Sequence, residues 1–157
     1  MPSNEKFQET PDDKLAIART IQIEPWPDPV TEASGHRVDS AYVETFWLPR
    51  LGPTCAWLIR RLAIGLDHHV DGYTTNTSEF AMELGIGPSL AAHSPFVRSL
   101  DRLANFNMLA ITDETIYVRR YLPELAPRQV RRLPDRLQTL HKAWSEAAPA
   151  DSTNEEE

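Results

Sequence analysis

The segment from residue 74 to residue 120 constrains the fold more than any other part of the chain, because its helix and turn signals fall in one unbroken order. In TTNTSEFAMELGIG, Asn76 stands where an N-cap is needed and Glu79 follows three residues on, the spacing of a capping box. Phe80, Ala81 and Leu84 recur at helical spacing and make one apolar face. Gly85 suits the left-handed residue that closes a helix. A second helix is expected from Ser94, which can cap it, and Pro95, whose missing N–H costs nothing in a first turn. Along SPFVRSLDRLANFNM, the residues Phe96, Leu100, Leu103 and Phe106 or Asn107 fall on one side. Arg98, Ser99, Arg102 and Asn105 fall on the other. MLAIT and TIYVRR are short β-prone runs joined at Asp113 and Glu114. Ile116 and Val118 share one face of the second run; Tyr117 and Arg119 share the other.

Helix, turn, helix and hairpin in that order resemble the winged helix-turn-helix superfamily of DNA-binding regulators, with FAMELGIG and SLDRLANFNMLAI as the stretches that carry the likeness. The resemblance covers about a third of the chain. It implies a mainly α fold with a small β-hairpin and an extra C-terminal helical segment. The helix from Ser94 would be the recognition helix and the hairpin the wing. In that role Arg98, Ser99, Arg102 and Asn105 enter a major groove, where arginine pairs with guanine and asparagine with adenine. Arg119, Arg120, Arg128, Arg131, Arg132 and Arg136 would hold phosphates. The expected partner is double-stranded DNA, bound by a homodimer.

Three features depart from that pattern. The stretch GIGPSLAAHSP between the two helices is longer than the turn of about three or four residues in a compact helix-turn-helix. Residues 89–93 could form an extra helical turn or a loop. Asp101 sits on the candidate recognition helix, where it repels phosphate, and the wing tip is acidic where a phosphate-gripping wing is basic. These features, with the aromatic residues Trp26 and Trp47, keep a second reading open. In it, the same fold is a protein-interaction module of a replication, conjugation or secretion assembly, with a protein partner reached through the aromatic N-terminal segment.

The net charge of −7 argues against indiscriminate nucleic-acid binding, but its distribution is uneven. Residues 48–145 hold twelve basic and nine acidic groups, and both flanking segments are acidic. The richest basic stretch is 115–142, with Arg128, Arg132 and Arg136 recurring at fours. It reads equally as nucleic-acid contact, solvated face or dimer helix.

Residues 1–36 are expected to be a disordered acidic arm with one weak apolar patch, KLAIARTIQI, and a proline-rich exit. Residues 37–146 are expected to be the winged-helix domain with its flanking helices, and 147–157 a disordered acidic tail. Tyr42, Phe46 and Trp47 suggest a short helix before Pro49. Gly52, Pro53 and Thr54 break the chain and open a strong helix whose buried stripe is Cys55, Leu58, Ile59, Leu62 and Leu66. A short strand near residues 70–73 could pair with the wing. Leu137, Leu140, His141 and Trp144 share a face of a last helix.

A single cysteine excludes an intrachain disulfide framework and suits a reducing compartment, so a cytoplasmic protein is expected. No apolar run approaches membrane length. The adjacent His68 and His69 point apart on any regular element, and no zinc-like ligand spacing occurs. With no phosphate-binding loop, GxSxG or HExxH, neither a cofactor nor an enzyme activity is expected.

Overall fold

The computed structural model describes residues 15–147. In chain order these form β1 (Thr20–Pro25), α1 (Pro29–Ser34), β2 (His36–Arg37), a π-helical turn (Val43–Trp47) running into α2 (Leu48–Leu51), α3 (Pro53–His68), β3 (Tyr73–Asn76), α4 (Thr77–Glu83), α5 (Pro95–Asn105), β4 (Leu109–Thr112), β5 (Thr115–Val118), β6 (Tyr121–Leu122), α6 (Pro127–Val130) and α7 (Asp135–Ala147). The fold is therefore mixed α and β: a four-stranded sheet and a separate two-stranded ribbon accompany the helices.

Helix α3 starts where Gly52, at φ 79°, lets the chain turn sharply and Pro53 takes the first position. Its stripe Cys55, Leu58, Ile59, Leu62 and Leu66 is buried, as the spacing predicts. Fully burying each of its leucines and its isoleucine contributes about 1.5–3 kcal/mol. Helix α4 is capped by Asn76, whose side chain accepts from the Glu79 N–H at 3.0 Å. It stops at Gly85, with φ 74°, where the Ile86 N–H reaches back to the Ala81 carbonyl at 3.2 Å. The connection to α5 is a loop with no helical turn at 89–93. It is tied down by buried Leu90 and by a bond from the Ala16 N–H to the Leu90 carbonyl at 2.9 Å. Ser94 then caps α5 through the Val97 N–H, and Pro95 takes its first turn.

The sheet runs β3-β1-β5-β4. Strands β4 and β5 form the hairpin read from sequence, with Ile116 and Val118 buried on its inner face. Residues 15–36 do not form a disordered arm. β1 lies in the middle of the sheet, antiparallel to β3 and parallel to β5, with Ile21 and Ile23 buried. A central position satisfies the backbone of β1 on both edges, and its two isoleucines meet the helical layer. The same insertion corrects the expected pairing of the 70–73 region with the wing: β3 meets β1 instead. Residues 1–14 and 148–157, with the rest of the expected arm and nearly all of the expected tail, lie outside the described residues.

The helix expected before Pro49 runs on through it. The π-turn bonds the Leu48 N–H to the Val43 carbonyl, and Pro49 takes an early position of α2, where its lost N–H is not needed. Helix α7 docks on this segment. His141 and Trp144 meet Phe46 edge-on at ring separations of 4.8 and 6.0 Å.

Candidate nucleic-acid interface

Helix α5 buries Phe96, Val97, Leu100 and Leu103 and turns its other side outward. Arg98, Asp101, Arg102 and Asn105, three or four residues apart, are exposed along that side. They line an open groove together with Ala92 of the preceding loop and Cys55 at the start of α3. Arg98 has no side-chain partner among the described residues. Arg102 is anchored: it donates to the Arg50 carbonyl at 2.6 Å, and its guanidinium lies 5.7 Å from the centre of the Phe106 ring.

Ser99 also borders this groove but is largely covered. It is 9% exposed, its hydroxyl donates to the Pro95 carbonyl at 2.7 Å, and its own carbonyl faces the Cys55 thiol at 3.5 Å. The cause is tertiary: α3 packs close along that edge of α5. Burial there also pushes the Cys55 thiol pKa up.

The two arginines after the hairpin are held within the chain. Arg119 stacks over the Trp26 ring at 4.0 Å, bonds the Asp28 carboxylate and donates to the Asn107 carbonyl at 2.8 Å. Thr31 and then Arg119 hold the Asp28 carboxyl below its usual range. Arg120 lies 3.6 Å from the Asp67 carboxylate. Both arginines thus have partners within the chain, unlike Arg98. The hairpin tip is also engaged, because the Glu114 carbonyl accepts from the Gln22 N–H of β1 at 2.7 Å.

Arg128, Arg131, Arg132 and Arg136 are exposed, with no ion-pair partner among the described residues. Helix α6 lies beside the C-terminal end of α5, where Gln129 shares a cleft with Trp47, Phe106 and Asn107. The basic stretch therefore begins next to the helix that carries Arg102.

The aromatic N-terminal residues are not a free surface. Trp47 is 4% exposed and donates its indole N–H to the Pro123 carbonyl at 3.0 Å, Tyr42 and Phe46 are buried, and Trp26 lies under Arg119. Trp57, which the sequence did not single out, is 56% exposed on α3. It borders a small, mostly apolar hollow lined by Val38, Val43, Glu44, Leu48, Ala56 and Arg60, and the Arg60 guanidinium lies 5.1 Å from the Trp57 ring centre.

Arg50 is the residue that sequence reasoning missed. Its guanidinium lies 6.0 Å from the Trp47 ring centre and 5.7 Å from that of Phe106. A lone arginine in WLPRLG has no periodic or motif signal, and only the approach of α2 to α5 gives it a setting.

Among the described residues, no group of three or more His, Cys, Asp or Glu side chains converges as a metal site, and no helix is long and apolar enough to cross a membrane. Comparison with known proteins returned no matching family model, no matching curated protein and no matching solved structure.

Proposed function

We propose that the chain is a cytoplasmic DNA-binding transcriptional regulator of winged helix-turn-helix type, with α5 as the reading helix and the β4–β5 hairpin as a short wing. The observation that carries this reading is the outward side of α5: Arg98, Arg102 and Asn105 stand exposed along one open groove. The element order from α3 through α4 and α5 to the hairpin supports the resemblance to the superfamily, with β1 as an added strand. Arg98 and Asn105 would read base edges from the groove that Arg102 also lines, and Arg128, Arg131, Arg132 and Arg136 would hold phosphates. A homodimer would place two such helices on one duplex.

Selection of genomic DNA fragments by the purified protein, followed by a salt series on the enriched fragment, tests this. We expect a recurrent site and an affinity that falls steeply with salt. Alanine at Arg98 or Asn105 should relax sequence preference, whereas alanine at Arg132 should weaken all sequences alike. No enriched fragment and flat affinity across salt would end the reading.

Exposed Trp57 beside its apolar hollow favours a second reading, a protein-interaction module. Recovery of one protein partner, lost on Trp57→Ala and with no DNA shifted, would favour it.

A further inference from the structure

We infer that Arg50 and Arg102 form a two-arginine clamp for a phosphate group, set at the edge of the α5 groove. Three observations converge on it. First, the Arg50 Nε–H is buried and has no hydrogen-bond partner. An unsatisfied buried donor costs about 1–3 kcal/mol, more when it carries charge, so the Arg50 guanidinium keeps bonding capacity that the described chain does not use. Its terminal nitrogens have no hydrogen-bond partner among the described residues.

Second, both guanidiniums sit 5.7 Å from the centre of the same Phe106 ring. Trp47 bounds Arg50 at 6.0 Å. Aromatic faces hold guanidinium planes without neutralising them, so both charges stay whole around one ring. No carboxylate pairs with either guanidinium among the described residues.

Third, Arg102 donates through one terminal nitrogen to the Arg50 carbonyl at 2.6 Å. That bond ties the Arg102 side chain to the Arg50 backbone and leaves the rest of the Arg102 fork for a ligand. Two forked donors held beside each other match the oxygens of a phosphate better than a single carboxylate. The clamp sits where a backbone phosphate flanks a base read by Arg98 or Asn105. Its partner, a nucleic-acid phosphodiester, rests on the reading above; its affinity for phosphate oxygens does not.

The test uses the full chain. NMR of arginine-labelled protein follows the Arg50 Nε–H and the Trp47 indole N–H while a random-sequence duplex, and separately inorganic pyrophosphate, is added. In parallel, duplex affinity is measured against salt for wild type, Arg50→Gln and Arg50→Lys. We expect the Arg50 resonance to move with duplex, Arg50→Gln to weaken every sequence several-fold, and the salt slope to fall by about 1. Arg50→Lys, which keeps the charge but not the fork, should fall between the two. A duplex that binds wild type and Arg50→Gln alike, with Arg50 unmoved, overturns the clamp and leaves the DNA reading standing. Arg50 moving with pyrophosphate while no duplex binds keeps the clamp and removes the DNA reading. Movement with neither ligand removes the clamp, and the wild-type spectra decide this even where a variant fails to fold.

Discussion

The Tyr42 hydroxyl lies 2.8 Å from Nε2 of His141, a residue on the last helix. The Leu125 N–H donates to the same hydroxyl at 2.9 Å, and the Tyr42–His141 bond runs in the direction that the histidine tautomer sets. Burial pushes the Tyr42 pKa up to about 12, which keeps the phenol protonated at any working pH. Tyr42→Phe leaves a buried N–H and a buried ring nitrogen unpaired. The expected loss is about 1–3 kcal/mol. It is read as a lowered urea midpoint with an unchanged denaturant slope. A wild-type midpoint would show that the bond contributes nothing.

His36 stacks on the other side of Tyr42, with ring centres 3.8 Å apart. Burial lowers its pKa below the ordinary 6.5, against the upward pull of Glu124, whose carboxylate lies 3.9 Å away. The folded chain thus binds this proton less readily than the unfolded chain does. Its contribution to stability is whole above about 6.5, falls as pH drops through that value and levels off below the folded pKa. Unfolding by urea at pH 7 and pH 5 should show wild type losing stability and His36→Asn losing less. Equal losses would remove His36 from the pH response.

Ile23 is fully buried in the middle strand of the sheet. Ile23→Ala should cost about 2–5 kcal/mol, measured by thermal or urea unfolding. A disordered arm would tolerate the change, so a neutral result would contradict the position of β1.

Asp101 stands among the exposed cations of α5 with no ion-pair partner among the described residues. Asp101→Asn should tighten duplex binding a few-fold, most at low salt, where exposed charges are least screened. Unchanged or weaker affinity would mean that this side of α5 does not face phosphate.

Local signals were legible and distant ones were not. Asn76, Gly85, Ser94 and Pro95 mark their helix ends because a cap needs only its own neighbours. The β4–β5 hairpin was legible because alternation and turn lie within one short span. β1 was not, because two isoleucines beside a proline-rich stretch make a weak pattern, and its pairing partners lie far along the chain. Ser99 sits on the edge of the α5 wheel, and only the approach of α3 decides that it is covered. Alternation placed Arg119 opposite the buried residues, but its partners Trp26 and Asp28 come about ninety residues earlier.

The position of β1 has a kinetic cost. This strand leaves the ribosome before either neighbour exists, and the sheet stays open at its centre until residues 115–118 emerge. Until then Ile21 and Ile23 have no partner strand on that side, and nascent chains could pair with one another there. Assembly should therefore be late and concerted, limited by one long-range closure rather than by the quick formation of the helices.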